Sequence, residues 1–330
     1  MNWGILGSGS IARRWMTGVR LAQDINVIAV ASRRVESARK FAEEYGIEHV
    51  YESCEALLKR DDIDCIYVAT PHTEHASLSI MAMAHGKAVL CEKPLAPNAA
   101  QVKEIIEAQK KTGVFVMEAM WMRFFPAFEK ARDLIVAGEI GEVRAIEASF
   151  SFRTEDTDKN NRQLSPALAG GGLLDVGVYG LHFCQGMLNA WPLEKTSFCS
   201  MNTDENQYGV DEQAVLLMRF PGDVLATVRC GVKTTLPDDA VIYGTKGRIA
   251  FKRFWSPDGF VISDAKGDRL IACPVQNPPD GGFQYEINHV QECVKKGLTQ
   301  SPVMPLCLSL KMAETCDDFR RMWGLRYPFE

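Results

Sequence analysis

Four short segments of this 330-residue chain hold residue types at spacings that can do chemistry. The first is Gly7-Ser8-Gly9-Ser10-Ile11-Ala12, a Gly-x-Gly-x-x-Ala pattern. Between a strand and a helix, such a loop holds a dinucleotide pyrophosphate. Gly7 permits the tight turn, Gly9 lets the backbone come close to the anion, and Ala12 is small enough for close packing. The free N–H groups that open the helix, at Ser8, Ser10 and Ile11, then face the phosphates. The second segment, Ser32-Arg33-Arg34, speaks to cofactor choice. An NAD site carries an acid here for the ribose 2′-hydroxyl. The first acid in this chain is Glu36, and a hydroxyl followed by two guanidiniums suits a 2′-phosphate. NADP is therefore expected over NAD; a solvated surface loop is the bland alternative.

The third segment is Cys91-Glu92-Lys93-Pro94, placed where a buried parallel strand ends, the edge at which open α/β sheets bind ligands. The fourth is Gly170-Gly171-Gly172-Leu173-Leu174-Asp175-Val176-Gly177-Val178-Tyr179. Its glycines predict a backbone that passes close to a ligand, and a helix after them puts Asp175 and Tyr179 on one face. His72-x-x-His75 could suggest a metal, but no His-Glu-x-x-His pattern accompanies it, and no metal is expected.

The elements that must position these residues read clearly in the first half. Strands are expected at Asn2–Leu6, Ile25–Ser32, Cys65–Ala69, Ala88–Glu92 and Val114–Ala119. Between them, helices are expected over Ile11–Leu21, Val35–Tyr45, Thr73 to about His85 (Thr73 as cap) and Ala99–Lys111, the last capped by Asn98 with Gln101 in a capping-box position. This alternation predicts a doubly wound parallel sheet. After a helix over Ala127–Ala137 the pattern changes. Strands at Val143–Phe152, Ala214–Phe220, Val224–Val232 and Ile249–Arg253, some separated by turns such as Pro221-Gly222, favour antiparallel neighbours. Two late helices are expected near Tyr285–Lys296 and Ser309–Trp323. The fold class is α/β: an N-terminal Rossmann domain over 1–120, then an α+β domain over 121–330 with a mostly antiparallel open sheet.

Composition narrows the function classes. The chain is 46% hydrophobic and 24% charged, with a net charge of −5 and both signs mixed, which gives no footprint for nucleic acid or a membrane surface. Mean hydropathy is −0.11, and the apolar runs read as shorter than a membrane span. The N-terminal stretch shows no export signal, so the ten cysteines are expected as reduced thiols in a cytoplasmic protein. None forms a Cys-x-x-Cys pair.

Together, the glycine loop, Thr70-Pro71, Glu92-Lys93-Pro94 and the Gly-Gly-Gly…Asp-x-Gly-x-Tyr segment resemble the glucose–fructose oxidoreductase / inositol dehydrogenase (Gfo/Idh/MocA) family over nearly the whole chain. Much of that family has His where this chain has Tyr179. With Met117–Pro126, that departure is similar to the branch of dimeric dihydrodiol dehydrogenases and NADP-dependent D-xylose dehydrogenases. The resemblance implies hydride transfer between a nicotinamide and a secondary alcohol or carbonyl of a sugar, cyclic polyol or trans-dihydrodiol. It implies Tyr179 as acid/base, Lys93 as the cation that favours its phenolate, and Asp175 as an orienting carboxylate. It places Thr70, Pro71, His72, His75 and Glu92 on the cofactor side, with Lys93. Trp121 and Arg123 are expected to wall the substrate pocket. Phe152, Trp255 and Phe283 are expected either to extend that wall or to be ordinary core. A homodimer or dimer of dimers through the C-terminal sheet is implied as well. An NAD-assisted glycosidase and a non-catalytic dinucleotide sensor are the alternatives; the presence of both Lys93 and Tyr179 speaks against a sensor.

Overall fold

A computed structural model describes residues 1–154, 161–203, 209–276 and 281–330. The chain divides into two compact units, one of residues 1–121 and 276–313, the other of residues 122–275 and 314–330. A single cut near residue 120 was the sequence expectation; here residues 276–313 return to the first unit.

The first unit is built on a six-stranded parallel sheet of β1 (Asn2–Leu6), β2 (Asn26–Ala31), β3 (His49–Tyr51), β4 (Cys65–Val68), β5 (Ala88–Glu92) and β6 (Val116–Ala119), in the order β3-β2-β1-β4-β5-β6. That is the Rossmann order, with the switch point between β1 and β4. The central strands are apolar because helices cover both faces of such a sheet. Leu6, Ala29, Ile66, Val68 and Val89 pack there with Val102 and Ile105 of α5 (Ala99–Thr112). Helix α1 (Ser10–Val19) follows β1, and α2 (Val35–Tyr45) stops at Gly46, whose φ of 69° is the left-handed cap conformation. The edge strand β3 and the five-residue α3 (Cys54–Leu58) were not foreseen. Both are too short to show a period.

Two capping expectations need correction. Thr73 lies inside a 3₁₀ turn, His72–Glu74, and α4 (His75–Ala84) starts after it without a side-chain cap. Asn98 does cap α5, accepting from the Gln101 N–H at 2.9 Å. The reciprocal half of the capping box is missing, since Gln101 Oε1 has no hydrogen-bond partner among the described residues.

The second unit carries an eight-stranded sheet in the order β14-β13-β12-β11-β7-β10-β9-β8. Its strands are β7 (Val143–Ser151), β8 (Glu194–Thr203), β9 (Gly209–Phe220), β10 (Val224–Gly231), β11 (Ala240–Gly244), β12 (Gly247–Phe251), β13 (Gly259–Asp264) and β14 (Gly267–Ala272). Four of these (β8, β11, β13 and β14) escaped the sequence reading, because polar and small residues blur their alternation. All pairings are antiparallel except β7 with β10. On one face Ile146, Ala148, Leu216, Met218, Ala226 and Val228 are buried. Helix α7 (Val178–Leu188) lies there so closely that a Cβ on Gly180 would stand 2.5 Å from Val228 Cγ1. Helix α6 (Pro126–Val136) precedes the sheet, α8 (Phe283–Lys295) belongs to the first unit, and α9 (Leu306–Trp323) follows it in sequence.

One composition expectation also changes. The stretch Pro166–Leu188 is long and apolar enough to cross a membrane by length and composition, yet its most apolar 18 residues are 89% buried inside the protein. A helix that is apolar on all sides is a core helix when protein surrounds it.

Candidate active site

In the first unit the phosphate loop has the geometry its residue types suggest. Gly7 takes φ +105°, and its Cβ would run into the Ala69 carbonyl. Its N–H donates to the Ala31 carbonyl at 2.8 Å, fixing the turn to the sheet. Gly9 stands at the N-cap of α1 with no side-chain cap bond, and a Cβ there would meet nothing within 4 Å. The first-turn N–H groups of α1, from Ser10 and Ile11 onward, thus open toward free space. Ser8 is buried, and so is Ala12 against the sheet. Nearby in sequence to the β4 end, Thr70 Oγ1 is buried without a partner among the described residues. An uncapped helix end, an open glycine and an orphan hydroxyl are what a bound pyrophosphate would satisfy, so the loop fits the group. Ser32 is half-buried, and Arg33 and Arg34 are exposed at the start of α2, neither paired with a carboxylate among the described residues.

The loops after β4 and β5 are tied together by His75. Its Nε2 lies 3.0 Å from the Thr70 carbonyl and its Nδ1 lies 2.8 Å from the Pro94 carbonyl. Pro71 precedes the 3₁₀ turn, and the His72 ring meets His75 edge-on at 5.6 Å. No group of metal-ligating side chains occurs among the described residues. Glu92 is buried at the end of β5; it accepts from the Tyr67 hydroxyl at 2.5 Å and from the Lys93 N–H at 3.3 Å. Burial pushes the Glu92 carboxyl above its usual range, while the Tyr67 bond and the Lys93 charge pull it back. The Tyr67 phenol is driven well above its usual value by burial and by the Glu92 charge, so it stays the donor. Trp15 stacks on Tyr67 at 4.2 Å. Half-buried Lys93 follows on a cis bond to Pro94, and Glu118 holds the Leu95 N–H at 3.1 Å. Tyr67, Trp15 and Glu118 were missed, because inside apolar runs they read as plain core.

Trp121 was expected in the pocket wall, and Phe283 either there or in the ordinary core. They stack face to face at 4.1 Å and 14°, both nearly fully buried, with the Arg14 guanidinium over each ring at 5.5 and 5.8 Å. Their rings are thus engaged with one another.

In the second unit Asp175 is 5% exposed, in a π-helical turn over Leu173–Gly177. There the Val178 N–H reaches back five residues to the Leu173 carbonyl, so the expected regular α-helical spacing from Asp175 to Tyr179 is interrupted. Arg162 Nη2 pairs with Asp175 Oδ1 at 3.0 Å, and Gln163 Nε2 donates to Oδ2 at 3.2 Å. Thr154 in turn donates to Gln163 Oε1 at 3.0 Å. Sequence reasoning missed Arg162 and Gln163, which stand in an irregular stretch without a period. Tyr179, 7% exposed on α7, meets the edge of Phe150 at 5.4 Å. Phe150 also stacks on Trp255 at 5.0 Å and 6°, and Phe152 lies 6.5 Å away. The aromatic group therefore centres on Phe150, one pleat from the residue singled out in the sequence. Trp255 Nε1 donates to Asp238 at 3.2 Å. Arg123 reaches Gln185 Oε1 at 2.8 Å and the His182 carbonyl at 3.3 Å, over the Phe128 ring. These contacts bind it to α6 and α7. His182 is fully buried, which holds its imidazole well below the usual range, the Arg123 charge adding to the effect.

The three glycines correct one expectation. A Cβ on Gly170 would meet the Arg162 and Gln163 carbonyls at 2.6 Å; on Gly171 it would strike Asp211; on Gly172 it would stand 2.7 Å from Gly231 Cα. The close approach is to the protein's own backbone and carboxylate.

Comparison with known proteins accords with this two-unit arrangement. Residues 1–120 match the model of an oxidoreductase family with an NAD-binding Rossmann fold, and residues 128–250 match the GFO/IDH/MocA C-terminal domain. The chain is 37% identical to a trans-1,2-dihydrobenzene-1,2-diol dehydrogenase of Mus musculus over 99% of its own length and 98% of the relative's. The chain belongs to the Gfo/Idh/MocA oxidoreductase family. A Xenopus tropicalis relative of the same name is also 37% identical, with 99% of each chain covered. Among solved structures, a 3-ketoreductase of Actinomadura kijaniata, in complex with NADP and TDP-benzene, superposes with a TM-score of 0.85 at 26% identity, covering 97% of both chains. The aldose-aldose oxidoreductase of Caulobacter crescentus shares the fold, with a TM-score of 0.87 at 24% identity over 98% of this chain and 97% of that one. The protein is thus an oxidoreductase acting on CH–OH groups, with a nucleotide-binding Rossmann domain.

Proposed function

We propose that the protein oxidises or reduces a secondary alcohol centre of a trans-dihydrodiol, sugar or cyclic polyol with NADP. The uncapped N-terminus of α1, open at Gly9, carries the reading. Ser32 with the exposed guanidiniums of Arg33 and Arg34, neither paired with a carboxylate among the described residues, supports NADP over NAD, because a 2′-phosphate accepts charge-assisted bonds that a ribose hydroxyl does not. Thr70 Oγ1 is a further donor for the nucleotide, and the His75 bridge keeps its loop in place. When bound, the nicotinamide supplies or takes the hydride. Tyr179 exchanges the hydroxyl proton of the substrate, Lys93 adds positive charge at the substrate oxygen, and Asp175 accepts from neighbouring hydroxyls. The Arg162 and Gln163 bonds hold the Asp175 carboxylate in its orientation. Phe150, Phe152 and Trp255 offer an apolar surface beside Tyr179 for a ring-shaped substrate. A panel of aldoses, inositols and trans-1,2-dihydrobenzene-1,2-diol, followed at 340 nm with NADP and with NAD, tests this reading. Turnover with NADP supports it; no absorbance change with any member of the panel refutes it.

The proposal includes a homodimer. The outer face of β8, β9 and β10 exposes Phe198, Val215, Leu217 and Leu225 in adjacent register, with Phe198 opposite Val215. A contiguous apolar patch of this kind marks an interaction surface, and a two-fold pairing of identical sheets covers it on both copies. Light scattering at micromolar concentration should give twice the 36.7 kDa chain mass or a larger even multiple. The double substitution Leu217→Glu and Leu225→Glu should return it to one chain. We also assign the protein to a reducing, cytoplasmic setting, supported by its ten cysteines, which form no disulfide among the described residues.

A further inference from the structure

The buried carboxylate of Asp211 plays no part in the chemistry described above, yet it stands directly behind it. Asp211 is fully buried on β9. Its Oδ2 accepts from the Leu173 N–H at 2.6 Å, at the first residue of the π turn. Its Oδ1 has no hydrogen-bond partner among the described residues and faces Gly171 so closely that no side chain fits there. The same loop is gripped from its other end, where the Tyr327 hydroxyl donates to the Gly170 carbonyl at 2.7 Å. Tyr327 is held by Arg320, whose guanidinium lies 4.8 Å over its ring and pairs with Glu330 at 2.8 Å. Gly171 completes the anchorage by donating to the Gln163 carbonyl at 2.8 Å. Gln163 is the residue whose amide reaches Asp175.

An ionisable carboxyl is a costly way to satisfy one buried N–H. Burial raises the Asp211 carboxyl to about 7; the Leu173 and Gly172 N–H groups and the Arg320 charge act against that rise. Cys199 of β8, Cys230 of β10 and Tyr327 also face it, and each is pushed upward, in part by its charge. We propose that Asp211 is a positioning residue for the reaction: with Tyr327 it clamps the Gly170–Leu173 loop and so sets the place of the π turn and helix that carry Asp175 and Tyr179. The proposal rests on the reading of those two residues given above. Gly171 and Gly172 follow from it, since only glycine lets the loop descend onto Asp211 and onto Gly231 of β10.

The test uses the full chain with Asp211→Ala, Asp211→Asn, Tyr327→Phe and Tyr179→Phe. Two quantities are read: hydrogen exchange of the peptide spanning residues 170–179, and kcat and KM with NADP and trans-1,2-dihydrobenzene-1,2-diol. In Asp211→Ala, exchange in that peptide should rise at least tenfold and kcat fall about 10–100-fold, with KM for NADP within twofold of the parent. Asp211→Asn keeps an acceptor for the Leu173 N–H and should restore both readouts to within about threefold. Tyr327→Phe should show a weaker form of the Ala phenotype. Added to Tyr179→Phe, Asp211→Ala should cost little more, because the positioned group is already gone. Unchanged exchange and kcat in Asp211→Ala, beside an inactive Tyr179→Phe, would overturn the clamp alone. Equal loss in Asp211→Asn and Asp211→Ala would also overturn it, since the acceptor would then not matter. Full turnover by Tyr179→Phe would instead remove the reading on which the clamp rests, and the clamp's catalytic role with it.

Discussion

Two glycine-rich turns precede helices in this chain, and they serve opposite ends. At Gly9 an added Cβ meets nothing within 4 Å, whereas at Gly170, Gly171 and Gly172 it meets protein atoms at once. The first turn is open to a ligand. The second is closed over a carboxylate, two carbonyls and a neighbouring strand. In sequence both look like loops made for close approach. The difference teaches that glycine marks proximity without naming the partner. Only the surrounding contacts tell whether that partner is a phosphate or the protein itself.

Breaking the chemistry that the two turns serve should give the largest effect. Lys93→Met should lower kcat by about 100–10,000-fold, the range for a lost group at the reacting atoms, with NADPH binding followed by nicotinamide fluorescence unchanged within a few fold. Next comes the contrast between the turns. Gly172→Ala should destabilise the fold by about 1–3 kcal/mol, because Gly231 Cα stands 2.7 Å from the new methyl and is backbone. Gly9→Ala should leave the denaturant midpoint where it is and weaken NADP binding instead. Equal loss of stability in both would erase the distinction.

A smaller effect is expected at the cofactor's far end. Arg33→Ala should raise KM for NADP by about tenfold or more, from the loss of roughly 1.5–3 kcal/mol in a charged hydrogen bond, and leave NAD nearly unaffected. Equal changes for both cofactors would contradict the 2′-phosphate assignment. The smallest effect is a slope. The Asp211 carboxyl, raised to about 7, binds its proton more tightly in the folded than in the unfolded chain. Its contribution to stability is therefore full below about pH 4 and is lost as pH rises toward and through 7, by at most ~1.4 kcal/mol per pH unit. Asp211→Asn should remove this part of the pH dependence in urea midpoints measured between pH 5 and 8.

The two regions also differ in how far the sequence reveals them. The Rossmann strands and the α1, α2 and α5 helices were legible because buried parallel strands are uniformly apolar and their helices carry caps such as Asn98 and Gly46. Lys93, Asp175 and Tyr179 were legible as motifs. Their supports were not: Tyr67 and Trp15 look like core, Arg162 and Gln163 lie in irregular chain, and Asp211 lies before the strand expected over Ala214–Phe220, with its partner Leu173 38 residues away in sequence. Phe150 was passed over for Phe152 because residues two apart in an extended chain line the same face, so periodicity does not choose between them, and only the structure shows that β7 ends at Ser151. The π turn at Leu173–Gly177 likewise has no sequence period of its own.

The most direct test of the whole account is single-turnover absorbance at 340 nm. Enzyme preloaded with NADP is mixed with trans-1,2-dihydrobenzene-1,2-diol or with the best aldose or inositol of the panel, in parent and Tyr179→Phe proteins. The account predicts a rise in the parent, and a rate lower by about 100–10,000-fold in the variant with the same amount of NADP bound. A Tyr179→Phe protein that reduces its NADP at the parent rate would contradict it.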